Sequence, residues 1–496
     1  MTYTLNKVYQ GFYKDSVALM RLSRELKEME GVNEAALMMG SPSNKQILAN
    51  AGLLTDSGNI GTGGDLILSI RAVDESTADA VLAAAELNFQ RQEKVSYSEN
   101  SWKPKTIRAA VREEPDANFA LISVPGEFAA GEARRALNYG LNVMIFSDNV
   151  SIEEELELKQ LALEKGLLMM GPDCGTAILD GIPIAFANKV NRGSIGIVGA
   201  SGTGIQEITS LISNNGGGIS HAIGVGGRDL NNEIGGLTTL ASIDHLDKDE
   251  ATKHIVLISK PPGEKILTKI LKRVSQSKKP FTICFLGTTG LDLPSNAQTA
   301  NTLEQTAQFA LGRDKIKYSG KVKVKVNREG KEIRGLYSGG TLAAETQLIF
   351  LESGQEVSSN VPVPGAQTLS ENNNVHKIID LGDDLYTQGR PHPMIDPEIR
   401  KEFLLQAYDD KNVSIIIVDL VIGFGAHSDP AGSLANILKN LISNAPPIII
   451  ASVTGTEHDP QVRSKQIKTL QAAGVFVAES NADAARIALQ LTGIKN

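Results

Sequence analysis

The chain has 496 residues, a formal net charge of −8 and two cysteines, and 41% of its residues are hydrophobic. This length and composition predict a globular α/β protein of about three or four domains, and the acidic balance argues against nucleic acid as the main partner. Two cysteines cannot form a disulfide framework and no apolar run reaches the roughly 18 residues of a membrane span, so we expect a cytoplasmic protein without a membrane partner.

Residues 1–100 are predicted to form a small α/β domain. Leu19, Leu22 and Leu26 recur at helical spacing after Ser16 and mark one apolar helix face. The other predicted elements are the strands Lys7–Tyr9, Val32–Met39 and Asp65–Val73 and the helix Ser76–Gln92. This order is typical of helices packed on a small sheet.

Residues 105–190 alternate between strand and helix patterns. The predicted elements are Phe119–Val124, Ala129–Tyr139, Asn142–Phe146, Ile152–Lys165 and Leu167–Gly171. Such alternation predicts a doubly wound parallel sheet, in which ligands lie at the carboxyl ends of the strands. The turn that follows the last strand carries Asp173 and Cys174, which are therefore candidate substrate-binding residues.

A strand–loop–helix unit opens the next predicted domain, residues 191–315. The β-branched run Ile195–Val198 predicts a buried strand, and Ile205, Ile208 and Leu211 recur at helical spacing. Between them lies the candidate phosphate-binding loop, with Ser201, Gly202, Thr203 and Gly204. Backbone N–H groups at such a helix start, with the partial positive charge behind them, suit a phosphate. The alternative is a sharp turn that needs glycine and binds nothing.

Two basic residues follow later strands of the same domain. Arg228 follows the strand His221–Val225, and Lys260 follows the strand Ile255–Ser259. Both turns are predicted at the same sheet edge as Ser201, so both side chains are candidate catalytic residues that neutralise charge on an oxyanion. The alternative is a surface arginine and a surface lysine without a role.

The last predicted domain, residues 330–496, begins with a second copy of the opening unit. The strand Ile333–Tyr337 leads into a loop and a helix that ends near Leu351. The candidate phosphate-binding residues here are Ser338, Gly339, Gly340 and Thr341. Two such units in one chain predict two phosphate-facing helix ends, which can meet at one site.

The loop Gly382–Asp396 contains the segment GRPHPMIDP. Its prolines restrict the backbone next to Arg390, His392 and Asp396, as a pre-organised site requires. His392 is a candidate catalytic residue, and Arg390 and Asp396 are candidate substrate-binding residues. The alternative is a rigid loop that packs domains together. No histidine pair has metal-ligand spacing such as HExxH, so no metal site is expected.

The segments MGPDCG, SIGIVGASGTG and HAIGVGGRD resemble, in order, parts of the α subunit of succinyl-CoA synthetase. From Asp380 to Leu491 the chain resembles the carboxyl-terminal domain of the β subunit, with VIGFG at that family's phosphate-facing turn. The resemblance implies a Rossmann-like domain of the coenzyme A-binding type at 105–190 and flavodoxin-like domains at 191–315 and 330–496. It also implies Gly423 and Gly425 as phosphate-binding residues.

Across its whole length the chain is similar to the FdrA family. The segments that carry this resemblance include YQGFYKDSVALM, MMGSPSNK, GASGTGIQE, YSGGTLAAE, IDLGDDLYTQGRPHPMIDP and VTGTEHDPQ. Members of that family are labelled acyl-CoA synthetases, or are implicated as a subunit of oxamate carbamoyltransferase in anaerobic allantoin breakdown. The resemblance thus implies one of two enzyme classes.

Departures from the synthetase pattern favour the transferase. The segment GTTGLDLPSNAQTANTL contains no histidine where the synthetases carry their phosphorylated one, and Lys260 matches their orienting glutamate. The chain has neither an ATP-grasp domain nor a counterpart of the glycine-rich coenzyme A loop before Phe119. Coenzyme A and nucleotides are therefore not expected as ligands, and no covalently bound cofactor is expected.

The sequence therefore predicts carbamoyl transfer between oxalurate plus phosphate and oxamate plus carbamoyl phosphate. We expect these small molecules as substrates and other carbamoyltransferase subunits as partners in a hetero-oligomer. The alternatives are a ligase that uses a histidine from elsewhere, such as His392 or His458, and a non-catalytic subunit that binds phosphorylated metabolites.

Overall fold

The computed structural model describes residues 2–12, 14, 16–96, 104–317, 319, 326, 328–369, 375–387, 391–441, 443 and 445–493. Its contacts divide the chain into two compact units. The first comprises Met1–Asn142, Ser147–Val150 and Thr387–Pro391, and the second comprises Val143–Phe146, Ser151–Tyr386 and His392–Asn496. The four-domain division stays a prediction. In the described part of the chain, no helix combines the length and apolar character needed to cross a bilayer.

The first unit is built on a three-stranded antiparallel sheet. Its elements are β1 (Tyr3–Tyr9), α1 (Ser16–Lys27), β2 (Val32–Met39), α2 (Pro42–Asn50), α3 (Asp56–Asn59), β3 (Leu66–Ala72), α4 (Glu75–Ser96), α5 (Ile107–Glu113), β4 (Phe119–Ile122) and α6 (Gly126–Asn138). The sheet order is β1-β3-β2, and β3 pairs antiparallel with both neighbours. Leu19, Leu22 and Leu26 of α1 are buried in its core, which confirms the predicted helix face.

The second unit begins with short elements and continues into a seven-stranded sheet. Its first elements are β5 (Asn142–Ile145), α7 (Ile152–Glu164), β6 (Met169–Met170), β7 (Thr176–Leu179), β8 (Ile182–Ala185), β9 (Arg192–Gly199), α8 (Gly202–Asn214), β10 (Ile219–Gly224), α9 (Leu237–Lys248), β11 (His254–Ser259), α10 (Glu264–Ser275), β12 (Phe281–Phe285), β13 (Ala297–Thr299) and α11 (Leu303–Ala310). The sheet order is β13-β12-β11-β9-β10-β7-β8. Strand β9 is parallel to β10 and β11.

A β-hairpin extends this sheet at a place where the sequence predicted no strands. Strands β7 and β8 pair with each other antiparallel, and β7 pairs antiparallel with β10. Each of the two strands has four residues, which is too short for a clear periodic pattern. The hairpin joins residues of the predicted 105–190 domain to the sheet of the following one.

A second seven-stranded sheet follows. Its elements are β14 (Glu332–Tyr337), α12 (Gly340–Glu352), β15 (Val357–Ser359), β16 (Gln367–Thr368), β17 (His376–Asp380), α13 (Asp384–Thr387), α14 (Glu398–Asp409), β18 (Val413–Val421), α15 (Pro430–Lys439), β19 (Ile448–Thr454), α16 (Arg463–Ala472), β20 (Phe476–Ala478) and α17 (Asn481–Leu491). The order is β16-β15-β17-β14-β18-β19-β20, and every pairing is parallel. The predicted class of doubly wound parallel sheets is confirmed.

Helices α8 and α12 each carry a buried glutamate at the sixth helical position, and both glutamates bind Asn481. The Asn481 N–H donates to Glu207 Oε1 at 3.1 Å, and the Asn481 side-chain amide donates to Glu345 Oε2 at 2.7 Å. Glu345 also accepts from the Leu303 N–H at 2.6 Å. These bonds tie both helices to the start of α17.

Burial raises the pKa of Glu345 from an ordinary 4.5 to about 8, despite the hydrogen bond from Asn481. The folded protein therefore binds a proton that the unfolded chain releases between about pH 4.5 and 8, so this group's contribution to stability is lost as pH rises through that window. We expect the free energy of unfolding of Glu345→Gln to fall less steeply than that of wild type as pH rises. The two slopes should differ by up to about 1.4 kcal/mol per pH unit, which is the value for one proton.

Urea unfolding at several pH values between 5 and 8 measures this slope. Glu352→Gln, an exposed change at the end of the same helix, is the matched control and leaves the slope unchanged. Equal slopes for wild type and Glu345→Gln would contradict the assignment.

Candidate anion site at two helix starts

The first half of the site is the start of α8. Strand β9 delivers Ser201 to the N-cap position, where its Oγ accepts from the Gly204 N–H at 3.0 Å. A methyl group on Gly204 would lie 2.5 Å from Ile258 Cδ1 and 2.6 Å from Ser201 Oγ, so a larger residue here would have to displace the capping hydroxyl. The predicted loop is thus a capped helix start in which the N–H groups of Gly202 and Thr203 lie in the first turn, where a helix offers them no backbone acceptor.

The second half is the start of α12, which buried Asp419 of β18 organises. The Asp419 carboxylate accepts from the N–H groups of Ser338 and Gly339, both at 2.7 Å, and from the Ser338 hydroxyl at 3.0 Å. Arg400 donates to the same carboxylate at 2.6 Å. The predicted phosphate contacts by the Ser338 and Gly339 amides therefore gain no support, because these donors already have an acceptor.

The two helix starts touch each other reciprocally. Ser201, the N-cap of α8, places its Oγ 2.5 Å from Oγ1 of Thr341, the second residue of α12. Gly339, the N-cap of α12, packs against Thr203, the second residue of α8, where an added Cβ would lie 3.0 Å from Thr203 Cγ2. The N-cap of each helix thus contacts the second residue of the other.

This meeting brings two partial positive charges together, and the Asp419 carboxylate offsets one of them in part. Each helix start carries about half an elementary charge, and among the described residues no side chain caps α12. Ser201, Gly202, Thr203 and Gly340 are each partly exposed, so solvent reaches both first turns. An anion that accepts from both turns satisfies their N–H groups and offsets the repulsion between the two helix ends.

Lys260 adds an exposed positive charge to this edge. It follows β11, the parallel neighbour of β9, so sheet topology brings it to the edge from which α8 starts. Its side chain is exposed, and its charge acts on the carboxyl group of Asp380. The catalytic role of Lys260 stays a prediction.

Asp380, at the end of β17, is a site residue that the sequence analysis missed. It is 7% exposed, and its Oδ1 accepts from the Gly382 N–H at 2.9 Å. Its Oδ2 faces Gly340, where an added Cβ would lie only 2.5 Å away. Burial raises the pKa of Asp380 to about 7, although the Gly382 N–H and Lys260 oppose the shift.

His392 lies beside Asp380 but is uncharged. Burial lowers the pKa of His392 to about 4, and the nearby Arg400 adds to the effect. Its Nδ1 accepts from the Met394 N–H at 3.2 Å, so the neutral ring carries its hydrogen on Nε2. An added Cβ on Gly382 would lie 2.7 Å from Nε2. Asp396 accepts from the Glu398 N–H at the start of α14, and Arg390 lies outside the described residues.

Arg228 forms an ion pair with a carboxylate of the fold. Its guanidinium lies 2.9 Å from Glu155 of α7. Glu155 and Asp229 flank buried Lys159, at 2.9 Å and 2.7 Å. The charge that Arg228 neutralises in the structure is thus a buried carboxylate of the fold, and the oxyanion role predicted for it gains no support.

The two candidates in the turn after β6, Asp173 and Cys174, lie in different environments. Asp173 is exposed, with φ of 54°. Cys174 is buried, its thiol contacts the Thr176 carbonyl at 3.7 Å, and burial raises the pKa of that thiol to about 12. Cys174 therefore belongs to the core, and only Asp173 keeps a surface position from which it can contact a ligand.

The turn with Gly423 and Gly425 packs against the segment after β8. The Gly423 N–H donates to Gln461 Oε1 at 3.0 Å, and the Phe424 N–H donates to the Ala187 carbonyl at 2.9 Å. A Cβ on Gly425 would lie 2.5 Å from the Phe186 ring. The glycines permit this close packing, so the phosphate contact implied for them gains no support.

Family models match three parts of the chain. Residues 1–104 match "AllF, heavy metal-associated domain", residues 190–287 match "CoA binding domain" and residues 336–491 match "CoA-ligase". In the described residues, no group of three or more His, Cys, Asp or Glu side chains could hold a metal ion. The CoA binding match falls on the sheet that contains β9, whereas the sequence analysis placed a domain of that type at 105–190.

The chain is similar to several known proteins. The Escherichia coli K12 protein YahF, itself described as uncharacterized, is 41% identical over 497 residues, which is 96% of both chains. The α subunit 2 of ADP-forming succinate–CoA ligase from Archaeoglobus fulgidus is 28% identical over 34% of this chain and 60% of that subunit. A dinucleotide-forming acetyl-coenzyme A synthetase from Ca. Korarchaeum cryptofilum, solved with phosphate and ADP, is 16% identical, with coverage of 76% and 82% and a TM-score of 0.32.

The Asp419–Arg400 pair yields a stability prediction. Asp419→Ala leaves the nearly fully buried Arg400 guanidinium and two N–H groups without their acceptor, and breaking such a pair costs about 3–5 kcal/mol. We expect the free energy of unfolding to fall by that amount in chemical denaturation.

The double variant Asp419→Asn with Arg400→Met removes both charges together and should recover part of the loss. A single variant as stable as wild type would show that the carboxylate does not organise the start of α12.

Proposed function

This chain belongs to the same family as the Escherichia coli protein YahF, and from that premise we propose that it is a subunit of a carbamoyltransferase. The proposed reaction interconverts oxalurate plus phosphate with oxamate plus carbamoyl phosphate. The observation that carries the proposal is the meeting of two helix starts at Ser201 and Thr341, because such a site suits a phosphoryl group. The enzyme-like scaffold is that of the CoA ligases.

The proposed phosphate contacts come from both helices. The N–H groups of Gly202 and Thr203 and those of Gly340 and Thr341 would donate to the phosphoryl oxygens. The ammonium of Lys260 would offset the charge that develops on the phosphate as the carbamoyl bond breaks. Fixed donors of this type are each worth about 3–4 kcal/mol of transition-state stabilisation.

The proposal needs no covalent enzyme intermediate. Once carbamoyl phosphate and oxamate lie side by side, the oxamate nitrogen attacks the carbamoyl carbon and phosphate departs, so orientation and charge stabilisation supply the catalysis. The resemblance to the FdrA family supports this substrate pair, and the match of residues 1–104 to a domain named after AllF supports a role in allantoin breakdown. We propose that other carbamoyltransferase subunits complete a hetero-oligomer.

A second candidate is an acyl-CoA ligase, which the CoA-ligase and CoA-binding matches favour. That enzyme needs a phosphorylated histidine. His392 is close to Asp380, since a Cβ on Gly382 would lie 2.7 Å from His392 Nε2 and 3.2 Å from Asp380 Oδ1, and its neutral Nε2 carries the hydrogen. Incubation with γ-labelled ATP separates the candidates, since a ligase yields an acid-labile phosphoenzyme and the transferase yields none.

Lys260 is the residue whose loss should report on the transferase most directly. We expect Lys260→Ala to lower phosphorolysis of oxalurate at least 100-fold, because the developing phosphate charge loses its counter-charge. The assay measures carbamoyl phosphate formed by the chain assembled with the proteins encoded beside it. The melting temperature should not change, because the side chain is exposed.

Lys269→Ala, on the exposed face of α10, is the matched control and should retain full activity. Unchanged turnover in Lys260→Ala would remove Lys260 from the mechanism. Absence of turnover in every wild-type assembly would overturn the proposed function.

A further inference from the structure

Asp380 is a buried carboxyl group at the site for which the phosphate contacts give no role. We propose, as an inference that rests on the proposed carbamoyl transfer, that Asp380 is the acid–base group that exchanges a proton with the oxamate nitrogen. The carboxyl lies against Gly340, the first residue of α12 and one of the proposed phosphate donors. A carbamoyl group attached to a phosphate held there comes next to this carboxyl.

The backbone and one carboxylate oxygen of Asp380 are fixed in place. Its N–H donates to Asn360 Oδ1, and its carbonyl accepts from Asn360 Nδ2, both at 2.9 Å. Its Oδ1 is held by the Gly382 N–H. Oδ2 remains as the oxygen on the Gly340 side, which is the geometry of a pre-organised proton carrier.

Acidic neighbours favour the protonated form of Asp380. Asp419 on β18 and Asp383 in the loop after β17 both raise its pKa, in addition to burial. Arg400 donates to Asp419 rather than to Asp380. The Asp419 charge is therefore partly neutralised, and it adds less to the shift than burial does.

Lys260, His392 and Tyr386 also lie near Asp380, and of these three only Lys260 moderates the shift. The ammonium of Lys260 lowers its pKa, whereas His392 is neutral above about pH 4 and contributes no charge. The balance leaves the pKa of Asp380 at about 7. Near neutral pH the group is therefore present in both protonation states, as a reversible proton transfer requires.

The proton balance closes within the reaction. In phosphorolysis, an oxygen of hydrogen phosphate bonds to the carbamoyl carbon of oxalurate while the bond from that carbon to the oxamate nitrogen breaks. The protonated Asp380 gives its proton to the departing nitrogen and regains one from the hydrogen phosphate. In the reverse direction the carboxylate takes the proton from the attacking oxamate nitrogen.

Asp380→Asn tests this role, because asparagine keeps the Oδ1 acceptor for the Gly382 N–H. In the assembled enzyme we expect kcat to fall at least 100-fold in both directions. The wild-type rate of phosphorolysis should decline above about pH 7, and the wild-type rate of carbamoylation should decline below it. Asp380→Asn should show neither decline. Ionisation of the substrates affects both enzymes equally, and any pH dependence it causes should remain in the variant.

Two controls separate this role from a structural one. Asp384→Asn, an exposed change nearby, should leave rates and pH profiles unchanged. Asp380→Asn should bind inorganic phosphate in calorimetry at least as tightly as wild type, because it removes a negative charge. The role of Asp380 would be overturned, and the proposed function would stand, if wild type turned over and Asp380→Asn had the same pH profile. Loss of phosphate binding in Asp380→Asn would have the same consequence. A wild-type assembly without turnover would overturn the proposed function and this inference with it.

Discussion

The contact between the first turns of α8 and α12 is the constraint on which the rest of this site depends. Ser201 meets Thr341, and Gly339 meets Thr203, so the two N-caps and the two second positions interlock. Each helix end carries a partial positive charge, which the Asp419 carboxylate offsets in part at the start of α12. The fold therefore maintains an arrangement that a bound anion stabilises, which is the physical basis for a phosphate site.

Buried acidic groups hold the two helices in this arrangement. Asp419 fixes the turn before α12, and Glu207 and Glu345, at equivalent positions of the two helices, both bind Asn481 of α17. The core cluster contains residues from both seven-stranded sheets and from α8, α12 and α17. The helix starts are therefore positioned by a core that joins the two seven-stranded sheets, which leaves the first-turn N–H groups of Gly202 and Gly340 for a ligand.

Local patterns in the sequence predicted the two halves of this site. A β-branched strand, a glycine-containing turn and an apolar helical repeat each act within about ten residues, and so β9 with α8 and β14 with α12 are predictable. The contribution of Asp419 was missed because its partners lie 80 and 81 residues away along the chain. One signal was available, since an aspartate inside strand β18, where Ser414 is the other polar residue, needs a buried partner.

The sequence also predicted ligand contacts for groups that instead bind other residues of the protein. Arg228 and the turn with Gly423 follow strands at the predicted edge. However, Arg228 forms an ion pair with Glu155, and the Gly423 N–H donates to Gln461. Both partners lie more than 35 residues away, and no local pattern reveals such pairs. Asp380 was missed because the local sequence does not distinguish it from the other two aspartates of IDLGDD, and its burial against Gly340 is visible only in the folded structure.

A crystal structure of the chain with inorganic phosphate tests the central claim most directly. We predict one phosphate between the helices, with oxygens within hydrogen-bonding distance of first-turn N–H groups of both α8 and α12 and of the Lys260 ammonium. A phosphate that contacts only one of the two helices, or that binds elsewhere while the space between them holds only water, would contradict the account.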